Sequence, residues 1–310
     1  MEKYQKILAV IDPTTEEQKA LKRAIELARK IDASITAFLT IYDFSYEMTT
    51  ILSSDDREAM CQSVINDRKQ WLESILAELD ITNISIDCKV IWHNRPFEQI
   101  IAQVLDHGYD IVIKGTHQHD KFKSVIFTPT DWHILRKCPC PVLLVKEHLW
   151  PENGNIIAAL NIGSEEEEHK ALNDKITAEA KQLAKVMKAN LHLVNSFPGT
   201  PVNIAIEIPE FNASDYNLAM LEHHKKAMLE QATAFNVTEE CTHIKEGLPE
   251  DIIQSVAAEL DAELVILGTV GRTGLSAALI GNTAEHVIDG LNCDVLALKP
   301  DGYVSPLDVE

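Results

Sequence analysis

Hydrophobic positions along this chain switch repeatedly between two spacings. Lys6 to Ile11, "KILAVI", is a short continuous apolar run, while from Thr15 to Ile31 the apolar residues Ala20, Leu21, Ala24, Ile25, Leu27, Ala28 and Ile31 recur every three to four positions. The first pattern predicts a buried strand and the second an amphipathic helix. The alternation continues with strand "ASITAFLTIY", a long helix from Asp56 to Leu79, strand "ISIDCKVIW" and a helix from Pro96 to about Leu105. Strand "DIVIK", a short helix over Asp131 to Arg136 and strand "PVLLVK" complete the first half. On the long helix, Val64, Trp71, Leu72, Ile75, Leu76 and Leu79 share one face. Continuous apolar strands alternating with helices predict a parallel sheet covered on both faces, an α/β fold.

The whole pattern then recurs. "NIIAALN" (Asn155 to Asn161) answers "KILAVID" (Lys6 to Asp12), and "LPEDIIQSVAAELDAELVILGT" answers "RPFEQIIAQVLDHGYDIVIKGT". From Pro96/Pro249 to Lys146/Lys299 the offset is constant (249 − 96 = 299 − 146 = 153), so the chain is an internal duplication. The segment "EHLWPENGN" joins the copies, which places two domains at 1–150 and 151–310. Each is read as a Rossmann-like five-stranded parallel sheet with helices on both faces. Two such halves in one chain would pack as an intramolecular pseudo-dimer, with a further homodimer left open.

Composition narrows the range of partners. The chain has 310 residues and a net charge of −20. That balance argues against nucleic acid, which needs clustered Lys and Arg, and against an anionic membrane surface. No apolar stretch approaches the ~18 residues that span a bilayer, and the N-terminal residues lack a signal-peptide layout. Six scattered cysteines fit a reduced compartment, so the expected location is cytoplasmic. Cys138 and Cys140, separated by one proline, are not the redox C-x-x-C arrangement and are read as structural.

The candidate chemistry lies where a parallel sheet binds ligands, beyond the carboxyl ends of its first and fourth strands. Those ends carry Asp12 and Gly115 in the first half, and Asn161 and Gly268 in the second. After Gly268 come Gly271, Gly274 and Gly281, in a chain with only twelve glycines, followed by an amphipathic stretch. A glycine-rich loop running into a helix N-terminus offers unpaired backbone N–H groups to an anion. Arg272 could add a charge-assisted contact.

The spacing Gly268-x2-Gly271-x9-Gly281 resembles the nucleotide-phosphate loop of universal stress proteins. The order of elements, an Asp12-type residue ending the first strand and a final "PVLLVK"-type strand are also similar, and the likeness runs through the chain twice, as in tandem members. The resemblance implies a non-catalytic stress-response protein that binds ATP or another phosphorylated small molecule. Its site in the second half would be Asn161, Gly268, Gly271, Arg272, Gly281, Asn282 and Thr283.

Both halves depart from the family pattern. The first keeps Asp12 but has Gln118 for the second glycine and Thr128-Pro129 for Gly-(Ser/Thr). "TPTD" reads there as a self-sufficient helix start, with Thr128 as cap, Pro129 first and Asp131 third. The first half is therefore read as degenerate. The second has Asn161 at the nucleoside position and Asn282 at the Ser/Thr position. On the plainer reading Asn282 only caps a helix, with Glu285 closing a capping box, but a lone cap does not need three glycines at that spacing.

Several other features carry expectations. The segment after Phe197 places Ile204, Ile206, Ile208 and Phe211 as a wall for an apolar cavity, which favours a phosphate-bearing lipid or nucleotide-linked acyl sugar as the alternative ligand. Covering the partner domain is the plainer role for the same segment. His117 and His119 are two apart but have no third ligand at recognisable spacing, so no metal is expected. His223-His224 on a helix is not a chelate, and Ser164 heads "SEEEEHK" as a helix cap. The loop from Gly268 to Thr283 has no acidic residue to hold Mg²⁺ or act as a base. Enzymatic activity is thus not expected; weak ATP hydrolysis and a ligand-free interaction scaffold stay open as alternatives.

Overall fold

A computed structural model describes residues 4–47, 53–118, 125–200, 212–269 and 281–308. The chain divides into two compact units, one of residues up to Lys146 together with the tail from Val304, the other Glu147–Tyr303. The tail from Val304 thus belongs with the first unit.

The first unit runs β1 (Lys6–Val10), α1 (Lys19–Ile31), β2 (Ser34–Ile41), α2 (Phe44–Glu47), α3 (Ser54–Ala77), β3 (Ile86–Trp92), α4 (Pro96–His107) and β4 (Ile111–Gly115). Two short strands, β5 (His117–Gln118) and β6 (Val125–Ile126), then α5 (Pro129–Lys137) and β7 (Val142–Val145) finish it. The five long strands are parallel in the order β3-β2-β1-β4-β7, so the winding reverses between β1 and β4. Right-handed crossovers with that reversal put α1 and α3 on one face and α4, which packs on α5, on the other. The β5–β6 ribbon, with His117 opposite Ile126, is a local antiparallel pair that the hydrophobic pattern does not announce.

The second unit runs β8 (Asn155–Leu160), α6 (Glu167–Met187), β9 (Asn190–Phe197), α7 (Ala213–Phe235), β10 (Thr242–Glu246), α8 (Pro249–Glu259), β11 (Leu264–Gly268), α9 (Asn282–Gly290) and β12 (Asp294–Leu298). Its parallel order, β10-β9-β8-β11-β12, repeats that of the first unit, with the reversal between β8 and β11. The 153-residue offset holds in the sheet itself: Gly115 pairs with Val145 and Gly268 with Leu298 (268 − 115 = 298 − 145 = 153).

Central strands bury both faces, which is why they read as unbroken apolar runs. Ile7, Leu8, Ala9, Val112 and Ile113 in one unit, and Ile156, Ile157, Ala158, Val265 and Ile266 in the other, are fully buried. Each large side chain among them contributes about 1.5–3 kcal/mol. The long helices differ. On α3 only Leu72 and Leu76 are buried, so most of the apolar face read from Asp56 to Leu79 is only partly covered.

Two helix starts depart from the sequence reading. Helix α1 begins at Lys19, not Thr15, because Gln18 is its N-cap and bonds the end of β1. Helix α6 begins at Glu167 with Glu166 as N-cap, so Ser164 does not cap it. The Ser164 hydroxyl instead lies 2.8 Å from His169 Nδ1.

Candidate functional site

The ends of β1 and β8 are held by the same device. In the first unit, buried Gln18 accepts the Asp12 N–H through Oε1 at 2.9 Å and donates Nε2 to the Asp12 carbonyl at 2.8 Å. In the second, Asn173 of α6 accepts the Asn161 N–H at 3.0 Å and donates to the Asn161 carbonyl at 3.0 Å. A carboxamide matches a peptide group donor for acceptor, so each clamp satisfies two backbone groups just where the strand stops. This fixes where the residues at 12 and 161 stand. The Asp12 carboxylate turns back on its own loop, accepting the Thr14 N–H at 2.9 Å and hydroxyl at 2.6 Å. Asn161 is exposed.

Next to these ends stand β4 and β11. Val10 pairs with Lys114, and Ala158 pairs with Ile266, so the strand ends that lead into Asp12 and Asn161 run beside those that close on Gly115 and Gly268 across the reversal point. Thr116 and Thr269 follow at matched positions, each donating its hydroxyl to the neighbouring last strand, to Val145 and Leu298 at 3.1 and 3.2 Å. Packing accounts for the absence of a side chain at Gly268. A Cβ there would lie 2.6 Å from Leu172 Cδ2 of α6.

The helix starts facing these ends are different. Helix α5 opens with a complete capping box: Asp131 N–H bonds Thr128 Oγ1 at 3.3 Å, and Asp131 Oδ2 accepts the Thr128 N–H at 2.6 Å and its hydroxyl at 2.8 Å. The other carboxylate oxygen lies 2.6 Å from Lys114 Nζ, with Asp131 fully buried and the Lys114 side chain 11% exposed. An anion thus already sits at the positive end of α5, and it belongs to the protein. At the corresponding positions (+153) the second unit has Gly281 for Thr128, Ala284 for Asp131 and Leu267 for Lys114. Helix α9 accordingly starts with Gly281 as N-cap and no side-chain cap hydrogen bond. Asn282 is the first helical residue rather than the cap, and the Glu285 N–H bonds the Gly281 carbonyl at 3.1 Å, one turn in. Gly281 has φ −63°, which any residue adopts, so backbone strain does not require glycine there. Thr283 is exposed.

Beside Asn161 the second unit contains a polar chain that sequence reasoning missed. Asn195 of β9 accepts the Ile162 N–H at 3.3 Å and presents its Nδ2 to His224 Nδ1 of α7 at 2.9 Å. The orientation of Asn195 makes His224 Nδ1 the acceptor, so the proton is on Nε2. The His224 ring stacks on Phe197 at 5.2 Å and 27° and lies so close to Gly163 that a Cβ there would collide with it. Burial, then His223, depresses the His224 pKa, so the ring is neutral at pH 7. The available signal was helical spacing: His224, Met228 and Ala232 share the buried stripe of α7. His223 meets His224 edge-on at 88°, so the adjacent pair diverges as the helix requires.

At the opposite, amino end of the sheet, His192 Nδ1 lies 3.1 Å from His243 Nε2, and His192 Nε2 lies 3.2 Å from Asn155 Oδ1. Both histidines have depressed pKa values, first through burial. This chain ties β8, β9 and β10 together, away from the crevice.

The remaining sequence-predicted residues are not all placed. Gly271, Arg272, His119, Ile204, Ile206, Ile208 and Phe211 lie outside the described residues, as do the side chains of His117 and Asn282. Among the described residues no group of three His, Cys, Asp or Glu is arranged to hold a metal ion, and no helix is long and apolar enough to cross a membrane.

A sequence profile of the universal stress protein family matches residues 3–146 and 154–299. Universal stress protein E of Escherichia coli strain K12 is 51% identical over 311 aligned residues, covering 100% of this chain and 98% of that protein. The universal stress protein E homolog of Haemophilus influenzae is 42% identical, covering 96% of this chain and 98% of the relative. Among solved structures, a putative universal stress protein from Pseudomonas aeruginosa UCBPP-PA14 superposes with a TM-score of 0.74 at 32% identity, covering 99% of this chain and 97% of that one.

Proposed function

The chain belongs to the universal stress protein family, and from that premise we propose that it is a non-catalytic binder of a phosphorylated small molecule, held by its second unit alone. The observation that supports this most is the contrast between the two helix starts. Helix α5 carries its own carboxylate, held by Lys114, whereas among the described residues α9 has no capping side chain and has Leu267 and Ala284 where that ion pair would be. A helix N-terminus with free N–H groups favours a phosphate, and the glycines at 271 and 281 let the backbone approach it. Asn161 stands at the adjoining strand end to meet the remainder of the ligand by hydrogen bonds, without the charge that Asp12 has in the first unit. The residues from Gly268 to Thr283 include no carboxylate to hold Mg²⁺ or activate water, so the ligand is retained and not turned over.

Native mass spectrometry of the purified protein tests this, with any ligand extracted and identified after denaturation. The expected result is one phosphorylated molecule per chain, absent from a Gly271→Asp/Gly281→Asp variant. Its mass separates a nucleotide from a lipid-tailed or acyl-sugar ligand. Protein that purifies empty and ignores added ATP overturns the reading and leaves an interaction scaffold in its place. Phosphate release from bound ATP would move it to a weak ATPase.

A further inference from the structure

Helix α5 ends at a pair of thiols that the proposed ligand site does not use. The Cys138 N–H closes the last turn on Ile134 O at 2.8 Å, and the backbone then extends at φ −69°, ψ 129°. Pro139 follows, and Cys140 leads into β7. This bend brings Cys138 Sγ and Cys140 Sγ to 3.5 Å, with Cys138 fully buried and Cys140 half-buried. Two sulfurs in van der Waals contact need to approach by only about 1.5 Å to reach bonding distance. Spacing alone had argued against redox chemistry here; the geometry argues for it.

We propose that Cys138 and Cys140 form a dithiol that a hydroperoxide oxidises to an intramolecular disulfide. Cys140, the less buried residue of the two, attacks the terminal peroxide oxygen as its thiolate. The O–O bond breaks, Cys140 becomes a sulfenic acid, and the displaced oxygen leaves as water or alcohol after taking up a proton. Cys138 then attacks the Cys140 sulfur, loses its own proton and expels the sulfenic oxygen as water. Two electrons pass from the two thiols to one peroxide, and one S–S bond forms. The contact with Cys138, followed by burial, pushes the Cys140 thiol well above its ordinary pKa, with Asp110 adding in the same direction. Cys140 therefore rests as a thiol at neutral pH, and the pair closes slowly under sustained oxidant.

The duplication supplies an internal control. At +153 the second unit has Leu291 and Cys293, so its matching positions carry a single cysteine. The experiment exposes the full-length protein to hydrogen peroxide, then denatures it in N-ethylmaleimide and digests it with trypsin. Trypsin releases Cys138 to Lys146 as one peptide holding both thiols. The expected product is that peptide unlabelled and lighter by two hydrogen atoms, taking two labels after treatment with dithiothreitol, while the Cys293 peptide loses no hydrogen. In Cys140→Ser, Cys138 should remain labelled. The proposal is overturned if the wild-type peptide takes two labels at a dose that oxidises Cys293, or carries sulfinic or sulfonic acids instead. It is equally overturned if Cys138 in Cys140→Ser still escapes labelling through a bond to another cysteine.

Discussion

Helices α5 and α9 begin at matched places in two units built by duplication, yet they solve the same electrostatic problem differently. Each N-terminus carries a partial positive charge from its first backbone N–H groups. The first unit meets that charge with Asp131, locks the carboxylate to Thr128 and neutralises it from below with Lys114. The second has none of the three side chains, with Gly281, Ala284 and Leu267 at the matching positions. A start that lacks cap, carboxylate and cation together forgoes what each contributes to α5. It is what a site requires if the anion is to come from outside. The first unit is thus a useful reference for the second, with its anion built in.

The largest expected effect tests whether that built-in anion is structural. Asp131→Ala leaves the Lys114 ammonium, with a side chain 11% exposed, without its carboxylate. Removing one partner of a buried ion pair costs about 3–5 kcal/mol. Hydrogen exchange should show β4 and α5 losing protection by that amount, with β11 and α9 unchanged. Adding Lys114→Met should recover most of it, since no buried charge then remains. A loss below about 1 kcal/mol would mean the pair is effectively solvated, and the contrast between the units would be one of sequence only.

How much of this was legible in the chain depends on the distance over which the signal acts. The duplication, the sheet class and the "TPTD" capping box are local patterns, and each is present in the structure. The Lys114–Asp131 ion pair was not legible, because the residues lie on separate elements. The Gln18 and Asn173 clamps escaped for the same reason. They do the same job from different places, one before its helix and one inside it, so the offset between copies hides them. Gly268 was read as a ligand-facing glycine; that a Cβ there would also meet Leu172 is a packing constraint that only tertiary structure reveals. Cys138 and Cys140 were judged on spacing, but the turn between helix and strand set the distance between their sulfurs.

A second difference between the units is histidine. His192, His224 and His243 in the second unit have depressed pKa values, as does His133 in the first. For each, the folded state refuses a proton that the unfolded chain accepts near pH 6.5. Stability is therefore fully present above that pH and declines as the pH falls toward each folded pKa. Each suppressed uptake contributes at most about 1.4 kcal/mol per pH unit. Exchange protection measured from pH 7.5 to 5.5 should consequently fall more steeply in β8 and β9 than in β1 and β2. His224→Gln should flatten the slope in the second unit without abolishing it, because His192 and His243 remain. Equal slopes in the two units would remove histidine burial as a difference between them.

The smallest expected effect bears most directly on the comparison, because it restores one missing part. Gly281 has φ −63° and ψ 139°, close to the φ −80° and ψ 160° of Thr128, so Thr fits there without backbone strain. Gly281→Thr gives α9 the hydroxyl cap it lacks and should stabilise the second unit by a few tenths of a kcal/mol. The reverse change, Thr128→Ala, should cost the first unit about 1 kcal/mol, since Asp131 loses a bonded hydroxyl as well as the cap. If the free N–H groups of α9 are kept for a phosphate, the new hydroxyl competes for them and its Cβ blocks close approach. The variant would then be slightly more stable and would lose its co-purified ligand. A gain in stability with full ligand retention would mean that the bare start of α9 is not where the phosphate binds. The absent cap would then have no part in binding, and the two helix starts would differ in stability rather than in purpose.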